Sequence, residues 1–96
     1  KKQFDRDALY YHYYEKGEHD VSPHFGIRTD NYKLIRFYDK VNAWELYDLK
    51  KDEHEMNNLY GQKKYSSVTK EMKTKLKELI HYYEDDDALK IFESQF

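Results

Sequence analysis

The hydrophobic period changes once along this sequence, and that change dictates what the chain can build. From Ala8 to Asp48, apolar and aromatic residues come in short runs broken by polar turns. From Tyr65 onward they recur every three or four residues. Short runs of period two make strands, and a long run of period 3.6 makes a helix. The first run, Ala8-Leu9-Tyr10-Tyr11-His12-Tyr13-Tyr14, carries the rings that suit a pleated, half-buried surface. Gly17 to Pro23 is a polar connection. Phe25 and Ile27 then alternate with His24, Gly26 and Arg28, as in a strand with two different faces. Thr29-Asp30-Asn31 is a compact turn, and Tyr32 to Tyr38 is the next strand, so 24–38 forms a hairpin. Asp39-Lys40-Val41-Asn42 is a second turn, before a last strand over Trp44 to Asp48. Four consecutive strands with short links predict an antiparallel meander.

The second half predicts one long helix. Val68, Met72, Leu76, Leu79, Ile80 and Tyr83 fall within a stripe roughly 120° wide when residues are set about 100° apart. Glu71 and Lys75 are spaced i,i+4 in the favourable order. The helix is expected over about 66–84, after a connecting loop at 49–64. Ser66 or Ser67 is placed to cap its start. Asp85-Asp86-Asp87 is placed to end it, because acidic groups are unfavourable at a helix C-terminus. The tail at 85–96 fits neither period clearly. The expected fold class is α+β: a four-stranded antiparallel sheet over about 8–48 with one long C-terminal amphipathic helix packed on one face, a single unit spanning 1–96. One helix covers one side, so the other face is expected to present its aromatics outward for docking. The opening Lys1-Lys2-Gln3-Phe4, with no initiator Met, fits a cut made inside a longer protein, and a missing signal peptide then says nothing about location.

Composition removes several classes. Charged residues make up 38% of the chain, yet 18% are aromatic, which argues for a folded core rather than disorder. There is no Cys, hence no thiol nucleophile and no Cys-based zinc site. No apolar run approaches the ~20 residues of a membrane span. A net charge of -2 lacks the basic footprint of a duplex-DNA binder.

Three histidines, His12, His19 and His24, lie close together with Glu15, Glu18 and Asp20 among them. A metal or acid/base cluster is one reading. The spacing matches no metal motif, and a polar loop beside a sheet edge is the plainer account. Between the two, one or two of these histidines line a pocket rim and hydrogen-bond a hydroxyl-rich ligand. Arg28 shares a strand face with His24 and could bind a carboxylate, sulfate or phosphate through two parallel bonds; a salt bridge to an acidic neighbour such as Asp48 is at least as plausible. Lys70, Lys73 and Lys77 make a stripe best read as a solvated helix face, and Trp44 is best read as core. The Tyr-rich first strand could stack RNA bases or sugars, but its rings alternate between faces and no RNP-like pattern accompanies them. Gly17, Gly26 and Gly61 are isolated and form no phosphate loop. Nothing assembles a nucleophile, base and orienting group.

Trp44-Glu45-Leu46-Tyr47-Asp48-Leu49, Lys50-Lys51-Asp52 and then Glu55, Asn58 and Leu59 resemble the E-L-Y-D-L-x-x-D-P-x-E-x-x-N-L signature near the C-terminus of type I sulfatases. His24-Phe25-Gly26-Ile27-Arg28-Thr29 and Tyr32-Lys33-Leu34-Ile35 look like the hairpin ahead of it. Ala8 to Glu15 is similar to bacterial members from Bacteroidetes that act on sulfated amino sugars, with the N-acetylglucosamine-6-sulfatase-like branch the best comparison. The resemblance covers about residues 8–84 and departs at Glu53, where the family usually has Pro. It implies the C-terminal subdomain of a periplasmic or secreted hydrolase of sulfate esters on glycans of glycosaminoglycan or mucin type. In that family a separate N-terminal domain holds a formylglycine, made in a C/S-x-P-x-R motif, and a calcium ion. This chain has only Pro23, with Val21 and Phe25 where the Cys or Ser and the Arg would stand. No catalytic residue, metal or cofactor is therefore assigned to it, and alone it should be inactive. The implied partners are its own catalytic domain and a sulfated glycan. His24, at the hairpin entry, is the first expected substrate contact, followed by His12 and Arg28. The alternative is a non-catalytic carbohydrate- or protein-binding module using the exposed aromatic face; RNA binding, a third class, is disfavoured by the charge.

Overall fold

A computed structural model describes residues 8–14, 22–39 and 42–94. The expected residues His19, Glu15, Glu18, Asp20 and Val21, and the Lys40-Val41 centre of the second turn, lie outside the described residues. Four strands form, β1 (Leu9–Tyr13), β2 (His24–Arg28), β3 (Tyr32–Tyr38) and β4 (Asn42–Asp48). They pair antiparallel in the order β1-β2-β3-β4, as the alternating runs require. β4 starts two residues earlier than the apolar pattern at Trp44 indicates.

The register sorts every strand residue onto one of two faces. His12 stands opposite Phe25, Phe25 opposite Arg36, and Arg36 opposite Trp44; Ile27, Leu34 and Leu46 form the next row. This face carries the core. Phe25, Ile27, Leu34, Trp44 and Leu46 pack with Met72, Leu76, Leu79 and Ile80 of α1 (Ser66–Tyr82) and with Ala88 and Phe92 of α2 (Asp86–Ser94). The expected stripe is thus the buried face of α1. It ends two residues short of 84, and Tyr83 lies outside the helix, 59% exposed, stacked on Tyr10 at 5.7 Å.

Three features depart from expectation. Neither Ser66 nor Ser67 caps α1. A 3₁₀ turn over Lys63–Tyr65 runs straight into the helix, so Ser66 already has helical backbone (φ -64, ψ -38) instead of the extended geometry a cap needs. The tail is helical. Finally, Asp85-Asp86-Asp87 does not stop α1 by charge. Glu84 adopts φ +54, its N–H bonds the His81 carbonyl and the Asp85 N–H bonds the Ile80 carbonyl. That is a Schellman closure, with Glu where Gly is usual. Asp85 then caps α2: its Oδ1 accepts the Ala88 N–H at 3.1 Å. Asp86 and Asp87 occupy the first turn of α2, where the dipole favours them.

The second face holds Leu9, Tyr11, Tyr13, His24, Gly26, Arg28, Lys33, Ile35, Phe37, Ala43, Glu45 and Tyr47. Only Leu9 and Arg28 of these are exposed. The open aromatic surface expected from one-sided helix cover is therefore largely closed by the rings themselves. Gly26 leaves a slot that the Tyr11 ring fills: a Cβ on Gly26 would meet the Tyr11 hydroxyl at 2.9 Å.

The signature run builds a frame. Asp48 Oδ1 accepts the Lys50 and Lys51 N–H groups, each at 3.1 Å. Asp52 accepts Met56 N–H at 3.0 Å and Asn57 N–H at 2.8 Å. Glu55 takes the Lys33 ammonium at 3.1 Å. Asn58 Oδ1 accepts both Leu46 N–H (2.9 Å) and Tyr60 N–H (3.0 Å), and the Leu59 N–H reaches the Leu46 carbonyl at 2.8 Å. The loop thereby covers the outer edge of β4, which would otherwise offer unpaired backbone groups.

Candidate functional site

His24 opens β2 on the second face. Its Nδ1 lies 2.8 Å from the Ser22 carbonyl oxygen. A carbonyl can only accept, so Nδ1 carries the proton and the neutral ring keeps a lone pair on Nε2. Three rings box the imidazole: Tyr11 edge-on at 5.6 Å, Tyr13 at 5.3 Å and Phe37 at 4.8 Å. The side chain is held yet half-buried, which suits a fixed hydrogen-bonding contact at the end of the sheet where the 15–21 and 40–41 connections leave.

Arg28 shares that face but ends the same strand. Four residue steps along the strand separate it from His24, about 13 Å. It is exposed. The suggested ion pair with Asp48 is not made, because the register puts Asp48 opposite Tyr32 on the helix-covered face, where it holds backbone N–H groups. Arg28 lies near enough to Tyr11 to favour its ionised form, but burial and Glu55 outweigh this and push the Tyr11 phenol up.

His12 stands on the opposite face from both. Nδ1 lies 2.6 Å from Asp85 Oδ2 and Nε2 2.7 Å from the Tyr38 hydroxyl. The His12 and Asp85 side chains are only 5% and 11% exposed. Asp85 Oδ2 also accepts the Tyr10 hydroxyl at 2.6 Å. Burial alone would raise the Asp85 pKa. The hydrogen bonds from Tyr10, His12 and the Ala88 N–H outweigh it and hold the carboxyl below its ordinary value of 3.8. Burial, reinforced by Asp85, pushes the Tyr10 phenol up, and burial raises Tyr38 to about 12. Sequence reasoning grouped His12 with His19 and His24 and missed the cluster of Asp85, Tyr10 and Tyr38 around it. Asp85 is 73 residues away, and no local pattern signals that meeting.

Lys73 is not part of a solvated stripe. Its ammonium donates to the Tyr60 hydroxyl at 2.6 Å and lies over the Trp44 ring at 4.6 Å, while Lys70 and Lys77 are exposed. Trp44 is core, 9% exposed.

One hollow of about 510 Å³ lies against Tyr14, Tyr83 and residues 84–87, and one of about 210 Å³ lies between the 29–32 turn and α1. Neither borders His24. Among the described residues, no three His, Asp or Glu side chains gather to hold a metal ion. No helix among them is long and apolar enough to cross a membrane.

Residues 1–82 match the family described as N-sulphoglucosamine sulphohydrolase, C-terminal. Over 83 residues the chain is 48% identical to an N-acetylglucosamine-6-O-sulfatase of Bacteroides thetaiotaomicron, covering 85% of this chain and 15% of that protein. It therefore spans about 15% of the length of the curated relative it matches. The fold superimposes with a TM-score of 0.82, at 48% identity, on a protein solved in complex with its substrate D-glucosamine-2-N,6-O-disulfate, covering 85% of this chain and 17% of that one. It also superimposes with a TM-score of 0.74, at 28% identity, on a 2-O GAG sulfatase, covering 92% and 19%.

Proposed function

Because this chain belongs to the N-sulphoglucosamine sulphohydrolase C-terminal family, we propose that it is the C-terminal subdomain of a bacterial hydrolase of sulfate esters on glucosamine-containing glycans. In this reading it packs on a catalytic domain and supplies one wall of the substrate pocket. The enzyme works in the periplasm or outside the cell, where sulfated glycans are met. The formylglycine and calcium are assigned to the catalytic domain, as in the family, because around Pro23 this chain has Val21 and Phe25 where the Cys or Ser and the Arg of the motif would stand; no step here runs through them.

His24 carries the proposal. Its Nδ1 proton is committed to Ser22, which leaves Nε2 for a ligand. The neutral ring accepts a sugar hydroxyl proton, and the protonated ring donates to a sulfate or hydroxyl oxygen. Arg28, about 13 Å along the strand, suits a second anionic group further along a glycan chain. The half-buried state of the second face weighs against the alternative of a free-standing module that binds ligands on exposed rings.

The test is kinetic. The whole reading frame that encodes these residues is expressed and assayed on 6-O-sulfated N-acetylglucosamine and on glucosamine-2-N,6-O-disulfate. Sulfate release is expected from at least one. His24→Ala should lower kcat/KM tenfold or more, since leaving polar partners unmatched costs ~1–3 kcal/mol. No turnover of any sulfated sugar would overturn the assignment of the enzyme class, and unchanged kinetics in His24→Ala would remove His24 from the pocket.

A further inference from the structure

The three rings that box His24 share one property. Each is the chain neighbour of a residue in the His12 cluster. Tyr11 and Tyr13 flank His12 in β1, and Phe37 precedes Tyr38 in β3. Neighbours on a strand point to opposite faces. The cluster therefore sits directly beneath the box, on the other side of the sheet.

β1 is also an edge strand, paired only with β2. A single ladder holds it, so side-chain ties on its covered face decide where it lies. Those ties converge on one carboxylate. Tyr10 and His12 both reach Asp85 Oδ2 at 2.6 Å, and Asp85 is fixed in turn by its cap to Ala88 at 3.1 Å. On the other side of the imidazole, Nε2 ties to Tyr38 at 2.7 Å, and the Tyr38 N–H reaches the Pro23 carbonyl, next to His24, at 3.3 Å. His12 thus links β1, the α1–α2 junction and the end of β3 through its two ring nitrogens.

We propose that His12, clamped between Asp85 and Tyr38, is the positioning residue for His24, setting through Tyr11, Tyr13 and Phe37 where the His24 ring stands. This rests on the reading of His24 as a substrate contact. It assigns His12 a part in substrate recognition without contact with the substrate. His12 acts by geometry: without its bonds to Asp85 and Tyr38, Tyr10 is the main side-chain tie left on the covered face of β1, and the box around His24 loosens.

The test is a double-mutant cycle in the full-length enzyme, joined to a spectroscopic readout. His12→Leu should raise KM about five- to tenfold with kcat within twofold. In a His24→Ala background the same change should add less than twofold, because His12 acts only through His24. His12→Asn places an amide N–H near the Nδ1 position, keeps the Asp85 bond, and should restore KM to within threefold. If His12→Leu does not fold, Tyr38→Phe, which deletes one hydroxyl, replaces it with a smaller rise in the same parameter. In ¹⁵N-histidine-labelled protein, either variant should shift the His24 ring signals and populate both tautomers, because the Nδ1 bond to Ser22 is no longer enforced. An additive cycle, or a folded His12 variant with unmoved His24 signals, overturns the positioning role. Shifted His24 signals with His24→Ala kinetics unchanged would leave the positioning intact and sink the assignment of His24 as a substrate contact.

Discussion

Gly26 is the position where the sheet can least accept a side chain, and Gly26→Ala measures how tightly the second face is closed. An added methyl carbon would stand 2.5 Å from the Leu34 carbonyl oxygen, 2.9 Å from the Tyr11 hydroxyl and 3.1 Å from Tyr11 Cζ. Two effects oppose each other. Replacing a strand glycine recovers about 0.5–1 kcal/mol of backbone entropy. Overpacking costs typically about 1–3 kcal/mol. The Leu34 oxygen belongs to the backbone of the paired strand and cannot rotate away, so the ladder itself must give. The steric cost wins, with a net loss of about 1–2 kcal/mol. For a chain of this length that is a fall in Tm of roughly 5–15 °C. Thermal and urea unfolding followed through Trp44, the one tryptophan, reads it directly. A Tyr11→Phe background separates the two clashes. The Tyr11 hydroxyl is buried with no partner among the described residues, so its removal should be neutral or stabilising by about 1 kcal/mol. The Gly26→Ala loss should shrink in that background and not vanish, because the Leu34 clash remains. A Gly26→Ala chain as stable as the parent would refute the close approach of β3 and of the Tyr11 ring.

Asp85→Asn should cost about 1–3 kcal/mol at neutral pH, through the cap of α2 and the bonds to Tyr10 and His12. The folded-state pKa of Asp85 is below its ordinary 3.8; its stabilisation is therefore full above that range and lost as pH falls through the folded value. Tm measured against pH should show the gap between parent and variant closing below about pH 4, and a gap constant down to strong acid would contradict the assignment. Glu84→Gly relieves a left-handed residue at φ +54 and should stabilise the chain by about 0.5–1 kcal/mol, read from the urea midpoint. Asn58→Ala removes the acceptor for Leu46 and Tyr60 N–H; about 1–3 kcal/mol should be lost, and light scattering should rise with concentration as the β4 edge is uncovered.

The sheet was legible because each strand carries its own alternation, and the turns between them carry turn residues. α1 was legible from six apolar positions in one stripe. α2 was not, for a reason that lies in the aspartates. Asp85-Asp86-Asp87 suits the end of one helix only by being the start of the next, and a sequence window centred on α1 sees only the first role. Nine residues are also too few for Ala88 and Phe92 to declare a period. Within β2, the shared face of His24 and Arg28 followed from parity alone. The relation of His12 to His24 did not. It depends on the register of β1 against β2, which pairs His12 with Phe25 and Tyr13 with His24. A register shifted by one residue would put His12 on the His24 face, and no residue in either strand reveals the difference in advance.

The most recognisable run in the sequence and the proposed contact residue lie at opposite ends of the sheet. Asp48 and Asp52 act where β4 ends, alongside Tyr32, and Asn58 along its middle at Trp44 and Leu46, whereas His24 stands in the row of Phe37 and Ala43, where β4 begins. Asp48, Asp52 and Asn58 each accept backbone N–H groups of the 48–60 loop or of β4, Glu55 is paired with Lys33, and Glu45 accepts the Tyr47 hydroxyl. Side chains committed in this way hold the loop in place. The run therefore identifies the frame, and substitutions within it should move stability while leaving substrate preference unchanged. Preference should respond instead to His24 and to the rings that box it, where one imidazole nitrogen is fixed by Ser22 and the other has no partner among the described residues. With His24 in its proposed role, recognition of the family and recognition of the substrate are separable in this fold, because the residues that close a sheet edge are satisfied internally.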